Sequence, residues 1–353
     1  MFLALREIRH EKLRYGLIVG MIVLVTYLVF VLSGLAYGLA QQNTQALDTW
    51  DASKIALNSD ANDSLSQSLI TKQTTDKLSL TKHEAYVGQA GVVAKAKGQA
   101  KLSAQFLGIQ KNQFIYHRLT TIAGHKPTTN HQILVDDSFK DNGYRLGDKV
   151  TLNSLTGKYQ IVGFTHNAKL SVAPVVYGTL PTWRSLSHVT PTYQAGGIVS
   201  DRSTFKGAES SLRTLSLSQF INKLPGYSAQ NMTFSFMIGF LMIIAMVVIA
   251  VFLYILTMQK LPNYAVLRAQ GIPAKVLVTT TITQALLLVV GGLLIGAGLT
   301  ALTVSVLPFG VPLAFNVPLL VGVTGGILLT GVIGALIPVR IILRVDPVSV
   351  IGG

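Results

Sequence analysis

Residues 233–272 decide the fold of this chain: TFSFMIGFLMIIAMVVIAVFLYILTMQKLPNYAVLRAQGI. The first part, residues 233–258, carries no charge, and as a helix it would be roughly 39 Å long, which is enough to cross a bilayer with some tilt. The part that follows contains Lys260 and Arg268 and ends at Gly271, a residue type at which helices commonly stop. The stretch therefore predicts a membrane span that continues into a short basic segment at the cytoplasmic surface.

The composition of the whole chain agrees with a membrane protein. Half of the 353 residues are hydrophobic, only 12% are charged, and the mean hydropathy is +0.48, which is too apolar for an ordinary soluble domain of this length. The charged residues are concentrated between positions 41 and 232, which hold 20 of the 29 Lys and Arg residues and 12 of the 15 Asp and Glu residues. One long polar domain is therefore expected among the spans.

The chain divides into a membrane part and one extracytoplasmic domain. We expect four transmembrane helices and a large mixed α/β domain inserted between helices 1 and 2. Basic residues flank the end of each span that is expected to face the cytoplasm. This pattern places both termini of the chain on the cytoplasmic side of the membrane. The expected segments are an amphipathic helix at 1–16, spans at 17–40, 233–258, 276–307 and 317–343, the extracytoplasmic domain at 41–232, a coupling segment at 259–275, an outer loop at 308–316 and a cytoplasmic tail at 344–353.

Short runs of apolar and β-branched residues bounded by turns predict strands in the extracytoplasmic domain. Residues 58–77 are rich in Ser, Thr, Asp and Gln and are expected to form a mobile loop. The domain contains no cysteine, so it must fold without disulfides, which is typical of a Gram-positive cell surface more than of a disulfide-rich secreted protein.

The sequence lacks the patterns of an enzyme. It has no phosphate-binding loop of the GxxxxGK[ST] type, no HExxH pattern and no close pair of histidines. The adjacent carboxylates Asp136 and Asp137 would point to opposite faces of a strand, so a role at a turn or strand end is expected. The net charge of +14 comes without a nucleic-acid-reading motif, and it suits a surface near anionic lipids. We therefore expect a non-catalytic membrane protein with no metal site, no cofactor and no nucleic-acid partner.

Small residues recur at four-residue spacing in the spans, at Gly34 and Gly38, at 292 and 296, and at 322 and 326. This spacing lets helices approach closely in a membrane. The sequence leaves open whether the contact is between two copies of the chain or within one.

Aromatic and sulfur-containing residues mark the outer boundary of the membrane. Trp50 follows the first span, and Tyr227 and Met232 precede the second. Such residues commonly anchor a span at the interface, but a tyrosine phenolate and a methionine thioether are also haem-iron ligands, and flat aromatic rings suit a planar apolar molecule. A pocket for a flat amphiphile is one hypothesis.

The chain resembles the FtsX/MacB-type ABC transporter permeases, and among them the HrtB haem-export permeases. The resemblance covers nearly the full length. It is carried by MFLALREIRHEKLRYGLIV at 1–19, SGLAYGLAQQN at 33–43, ILVDDSFKDNGYRLGDKV at 133–150, YQIVGFT at 159–165, QKLPNYAVLRAQGI at 259–272 and RVDPVSVIGG at 344–353, with APVVY at 173–177 for the haem-export subgroup.

The resemblance implies a homodimeric permease subunit that works with two copies of a separate ABC ATPase in the plasma membrane. ATP-driven closure would move the extracytoplasmic domains, and haem would enter from the bilayer and leave outward, as a substrate and not as a prosthetic group. The positions matching the haem site of the subgroup are Trp50, Tyr177, Tyr227 and Met232. The ATPase-coupling positions are Arg6, Arg9, Lys260, Tyr264 and Arg268.

Export of haem or a similar flat hydrophobic toxicant is therefore the expected function. Two alternatives remain open. The same fold can transmit ATP-driven movement to a cell-wall hydrolase, or it can export or sense antimicrobial peptides or lipoproteins.

Overall fold

The computed structural model describes residues 12–153, 157–207, 209–307 and 311–343. The chain forms two compact units, one made of residues 39–230 and the other of residues 1–38 and 231–353. We call them the sheet unit and the helical unit. The predicted amphipathic helix at 1–16 and the predicted tail at 344–353 lie largely or wholly outside the described residues.

Among the residues that the structure describes, four helices are long and apolar enough to cross a membrane. They are α1 (Lys12–Trp50), α7 (Tyr227–Ala269), α8 (Ala274–Val306) and α9 (Val317–Leu343). The mixed sheet lies between the first and second of these in the chain. The predicted fold class, four spans with one inserted α/β domain, is confirmed.

Two of these helices extend beyond the spans expected at 17–40 and 233–258. Helix α1 continues to Trp50, and α7 runs through Pro262 to Ala269, although a proline lacks the N–H that would bond the carbonyl four residues earlier. Helix α7 ends just before Gly271, where the sequence predicts a helix to stop. The positive φ of Gly271, 89°, lets the N–H of Ile272 bond the Leu267 carbonyl at 3.1 Å.

The glycines of α1 and α8 make close contacts within one chain. A Cβ on Gly292 or Gly296 would collide with Ile22 or Thr26 of α1. Gly34 faces the ring of Phe315, in the connection between α8 and α9, and the Gly34 carbonyl accepts a hydrogen bond of 3.1 Å from the Ala314 N–H. Intramolecular packing therefore accounts for these spacings.

The sheet unit contains a mixed sheet in which the order of the main path is β13-β1-β12-β3-β4-β10-β6-β8-β5. Strand β10 is parallel to β4 and antiparallel to β6, and β6 is parallel to β8. The strands are β1 (Lys54–Asn58), β2 (Ile70–Thr71), β3 (Glu84–Lys95), β4 (Leu102–Ile109), β5 (Ala123–Gly124), β6 (Gln132–Asp136), β7 (Lys149–Leu152), β8 (Lys158–Thr165), β9 (Lys169–Leu170), β10 (Ala173–Thr179), β11 (Tyr193–Ala195), β12 (Gly197–Ser200) and β13 (Leu212–Ser216).

Five short helices connect these strands or follow them. They are α2 (Lys72–Asp76), α3 (Phe114–Arg118), α4 (Ser138–Asp141), α5 (Leu180–Leu186) and α6 (Leu217–Asn222).

The sheet is covered on both faces by apolar clusters. Neighbouring residues of a strand point to opposite faces, and on β10 Val175 and Tyr177 belong to one buried cluster while Val176 belongs to the other. The first cluster also receives Trp50 from the end of α1. The second contains Trp183 of α5. Strand β10 is thus buried on both faces.

The segment 58–77 is not the extended mobile loop that its polar composition predicts. It includes β2 and α2, and Leu65 and Ile70 are buried. The hydroxyl of Ser68, which is also buried, accepts a hydrogen bond of 2.9 Å from the Asn58 N–H. The polar side chains in this segment make local bonds that fix its backbone, and composition alone does not reveal this.

Candidate functional site

The structure brings two of the four predicted haem-site residues together in the core of the sheet unit. Trp50, the last residue of α1, is 0% exposed, and Tyr177 on β10 is 1% exposed. Both belong to the same apolar cluster. Tyr227, the first residue of α7, is partly buried and packs against that cluster. Three aromatic side chains therefore share one apolar environment.

Met232 lies elsewhere. It is one turn further along α7 than Tyr227, belongs to the helical unit, and is 59% exposed. In a membrane, an exposed thioether on an apolar helix is available to lipid or to a molecule dissolved in lipid.

Two hydrogen-bonding groups in the aromatic cluster make no hydrogen bond of normal geometry among the described residues. They are the indole Nε1 of Trp50 and the hydroxyl of Tyr177, and the Trp50 side chain lies close enough to interact weakly with that hydroxyl. Leaving such a group buried and unpaired costs about 1–3 kcal/mol, and well-packed proteins rarely tolerate it. Two polar groups that stay unpaired in one cluster mark a place where a ligand could supply the missing partner.

The protonation state of Tyr177 limits what it can do in this conformation. Burial raises the pKa of the Tyr177 phenol above its usual range. The neighbouring Trp50 side chain lowers this pKa to a smaller extent, and the negative charge of Asp136 raises it further. The phenol therefore keeps its proton at neutral pH. Iron coordination by Tyr177 would need the positive charge of the metal close by, because only that charge would stabilise a buried phenolate.

Asp136 occupies the end of β6, the strand-end role predicted for it. Its carboxylate accepts hydrogen bonds from the Ser138 N–H at 3.1 Å, from the Ser138 hydroxyl at 2.5 Å and from the Ala168 N–H at 3.0 Å. Burial raises the pKa of this carboxyl in spite of these bonds. The neighbouring Asp137 instead pairs with His166.

The residues predicted to couple the permease to an ATPase fall into three groups. Arg6 and Arg9 lie outside the described residues. The ammonium of Lys260 donates a hydrogen bond of 3.0 Å to the Tyr15 hydroxyl of α1. Tyr264 is buried in a cluster with Leu277 and Ile342, and Arg268 lies half-buried in the last turn of α7.

A narrow apolar crevice lies in the helical unit between α1, α7 and α9. Its walls include Met21, Val25, Met242 and Ile327. Within the described part of the chain, no group of three or more His, Cys, Asp or Glu side chains is placed to hold a metal ion.

Nothing in the sequence singles out Arg118 at the end of α3, although its side chain joins two distant parts of the chain. Its guanidinium reaches the carboxyl end of α1 and the carboxylate of Asp201. These residues are far apart in the chain, and no motif connects them.

Residues 235–347, which cover most of α7 and all of α8 and α9, match the family model of the FtsX-like permease C-terminal domain. This part of the chain is similar to an FtsX-like permease. The predicted resemblance to FtsX-type ABC transporter permeases is thereby confirmed. The matched part contains three of the four candidate spans found in the described residues, whereas the sheet unit lies outside it.

Curated relatives extend the similarity to the whole chain. The "Putative hemin transport system permease protein HrtB" of Staphylococcus haemolyticus is 26% identical over 356 residues, which cover 100% of this chain and 99% of the relative. The protein of the same name in Staphylococcus epidermidis is 26% identical over 354 residues, with the same coverage.

Solved structures of two transporter domains also resemble part of the chain. The periplasmic region of MacB from Actinobacillus actinomycetemcomitans has a TM-score of 0.36 and 12% identity, covering 48% of this chain and 90% of that one. The extracellular domain of the noncanonic ABC-type transporter YknZ from Gram-positive bacteria has a TM-score of 0.35 and 11% identity, covering 46% and 98%.

Proposed function

We propose that this chain is the permease subunit of an ATP-driven ABC exporter that removes haem, or a similar flat hydrophobic toxicant, from the cell membrane. The observation that carries the proposal is the full-length similarity to two permeases named for hemin transport. This similarity includes the sheet unit, which lies outside the shared FtsX-like domain and holds the aromatic cluster.

The chemistry of the predicted site suits this substrate. Haem is planar and largely apolar, with an iron that accepts phenolate or thioether ligands and an edge that carries carboxylates. Trp50, Tyr177 and Tyr227 supply flat aromatic surfaces, and Met232 supplies a thioether on a lipid-exposed turn. The unpaired Trp50 N–H and Tyr177 hydroxyl could each donate to an oxygen of the ligand.

Because Trp50 and Tyr177 are fully buried, haem would reach them only after the aromatic cluster opens. The proposal therefore includes two conformations of the sheet unit, a closed one with the cluster packed and an open one that admits the ligand. ATP binding and hydrolysis by a separate ATPase would shift the balance between them.

The remaining parts of the proposal concern assembly and orientation. The permease would act as a homodimer on two ATPase subunits, with both termini in the cytoplasm of a Gram-positive cell. Arg6, Arg9, Lys260, Tyr264 and Arg268 would form the cytoplasmic contact region. Since Lys260 and Tyr264 contact other helices of the permease, they would act by holding this region in shape.

ATP-dependent haem transfer tests the proposal. The permease and its cognate ATPase are reconstituted in proteoliposomes loaded with haemin, and transfer to apomyoglobin in the external medium is followed by its Soret band. We expect transfer that requires ATP and stops when the ATPase carries a substitution that prevents hydrolysis. Equal transfer with and without ATP would contradict the proposal and would favour peptide export or signalling to a cell-wall hydrolase.

A further inference from the structure

The carboxyl end of α1 is held inside the sheet unit. The helix is 39 residues long and extends from the helical unit past the unit boundary, between residues 38 and 39, to Trp50. The next residue, Asp51, has a positive φ of 50° and ends the helix. The last carbonyls of a helix have no partner in the helix itself and carry a partial negative charge.

Arg118 supplies partners for these carbonyls. Its Nη1 donates to the Trp50 carbonyl at 2.7 Å and to the Asp51 carbonyl at 3.1 Å, and its Nη2 donates to Asp201 Oδ2 at 3.0 Å. The guanidinium also lies over the ring of Phe114, 4.7 Å from the centroid. The fork of the guanidinium can hold two partners in fixed directions at once. We call Arg118, Asp201 and the two carbonyls the helix-end clamp.

Asp201 connects the clamp to the sheet. It follows β12, which pairs with both β1 and β3. Its Oδ1 lies 2.9 Å from His83 Nδ1, and His83 Nε2 lies 2.8 Å from the guanidinium of Arg202. Since a guanidinium only donates, Nε2 accepts and Nδ1 carries the proton that is donated to Asp201. The carboxylate is therefore fixed on both sides.

The hydroxyl of Ser53 adds a second connection, because it donates to the Asp201 carbonyl at 2.9 Å, just before β1 begins. The end of α1 is thus tied to two adjacent strands of the sheet. A partly exposed ion pair contributes little to stability, so the geometry is better suited to fixing a direction than to holding the fold together.

We propose that Arg118 is the positioning residue that makes the end of α1 and the sheet move together, so that movement of α1 driven by the ATPase reaches the aromatic cluster. Trp50, whose carbonyl is held by Arg118, belongs to that cluster. This inference rests on the proposed function for the driving force, but it does not depend on haem being the substrate.

Lys126 provides a matched control. Its ammonium donates to the carbonyls of Tyr116 and His117 at 2.9 and 3.0 Å, and it lies over the Tyr116 ring, 5.4 Å from the centroid. Like Arg118, it is a cation held by two carbonyls and an aromatic ring in the sheet unit. Its partners, however, belong to α3 and not to α1.

The test compares the full-length permease, Arg118→Met and Lys126→Met, each bound to the cognate ATPase in nanodiscs. Hydrogen exchange of the sheet unit is measured without nucleotide and with ATP plus vanadate, next to the ATPase rate and the transfer of haemin to apomyoglobin. We expect wild type and Lys126→Met to show an ATP-dependent change in exchange in β6 and β10. Arg118→Met should keep its ATPase rate within twofold, lose the ATP-dependent change and transfer haemin at least tenfold more slowly.

The proposed role of the helix-end clamp would be overturned if Arg118→Met kept the ATP-dependent change in hydrogen exchange, or if Lys126→Met lost it equally. An absence of this change in the wild type would also overturn the proposal. If the wild type shows the change but transfers no haemin, the role of the clamp stands and the haem proposal fails.

Should Arg118→Met not fold, Arg118→Lys decides. A single ammonium cannot hold the carbonyls and Asp201 together, so the ATP-dependent change in hydrogen exchange should fall severalfold. A change as large as that of the wild type would overturn the proposed role of the clamp.

Discussion

Trp50 and Tyr177 lie in the same buried cluster, and each brings to it a hydrogen-bonding group that makes no hydrogen bond of normal geometry among the described residues. The cluster would be more stable without these two groups in the closed conformation. Their presence is consistent with a role in another state of the molecule, in which a ligand is bound.

Tyr177→Phe should leave the stability of the sheet unit unchanged within about 0.5 kcal/mol or raise it, because the hydroxyl makes no hydrogen bond of normal geometry and would lose only a weak interaction with the Trp50 side chain. Tyr144 is equally buried, at 1% exposure, but its hydroxyl donates to the carbonyls of Ala100 and Ala94 at 2.7 and 3.2 Å. Tyr144→Phe should therefore cost about 1–3 kcal/mol. Thermal unfolding of the two variants measures the difference, and a large loss in Tyr177→Phe would show that a partner exists.

Tyr15→Phe should weaken the connection between α1 and α7, since it removes the hydroxyl that accepts a hydrogen bond of 3.0 Å from the Lys260 ammonium. Hydrogen bonds to charged groups contribute about 1.5–3 kcal/mol, against about 0.5–1.5 kcal/mol for neutral ones. Tyr27, on the same helix, makes a neutral bond of 3.1 Å with the Thr303 hydroxyl and provides the control. The melting temperature in detergent should fall further for Tyr15→Phe than for Tyr27→Phe, and the reverse order would contradict the assignment.

Gly292→Ala should destabilise the helical unit, because the new methyl group would lie 2.8 Å from the Ile22 Cβ. Overpacking of this kind costs about 1–3 kcal/mol. The adjacent Gly291 has no atom within 4 Å of the corresponding position, so Gly291→Ala should be neutral. Equal melting temperatures for the two variants would show that α1 and α8 do not pack as described.

The buried carboxyl of Asp136 predicts a pH dependence of stability. Burial raises its pKa above the usual value of 3.8, so the folded protein holds this proton to higher pH than the unfolded chain. The contribution of Asp136 to stability is therefore fully present below the unfolded pKa and is lost as the pH rises through the folded pKa.

Asp136→Asn removes this titration. The asparagine also accepts fewer hydrogen bonds than the carboxylate, and this changes the unfolding free energy by an amount that does not depend on pH. The unfolding free energy of wild type minus that of Asp136→Asn should therefore decrease as the pH rises above the ordinary carboxyl pKa of about 4 and through the raised pKa of the folded state. Urea titrations at several pH values measure the difference, and an increase with pH would mean that the carboxyl is stabilised as an anion.

The four spans could be predicted from the sequence because the bilayer requires long apolar helices, and nothing else in the chain satisfies this. The end of α7 could also be predicted, since Gly271 is a residue type at which helices commonly stop. The helix continues through Pro262 because the loss of one hydrogen bond does not outweigh the packing of Tyr264 against Leu277 and Ile342.

The burial of the predicted haem-site residues could be predicted only in part from the sequence. Trp50 and Tyr227 were assigned to the membrane boundary, yet Trp50 is fully enclosed by the sheet unit. A signal existed for Tyr177, since the continuous apolar run Val175–Val176–Tyr177 is the pattern of a strand buried on both faces. The pairing of Arg118 with Asp201, 83 residues later, could not be predicted from local sequence patterns, because these two residues come together only through the topology of the sheet.

Haem binding by the purified permease tests the central claim most directly, because it needs neither an ATPase nor a membrane gradient. Haemin is titrated into the full-length chain in nanodiscs, and the Soret band is compared with that of empty nanodiscs, for wild type, Tyr177→Phe, Tyr227→Phe and Met232→Leu. The comparison variant is Tyr144→Phe, whose hydroxyl lies in the other apolar cluster.

The account predicts a saturable band that shifts on binding, close to one haem for each permease dimer. The shift should be altered in at least one of the three site variants and unchanged in Tyr144→Phe. A spectrum that never saturates and matches haemin dissolved in the lipid of empty nanodiscs would contradict haem as the substrate.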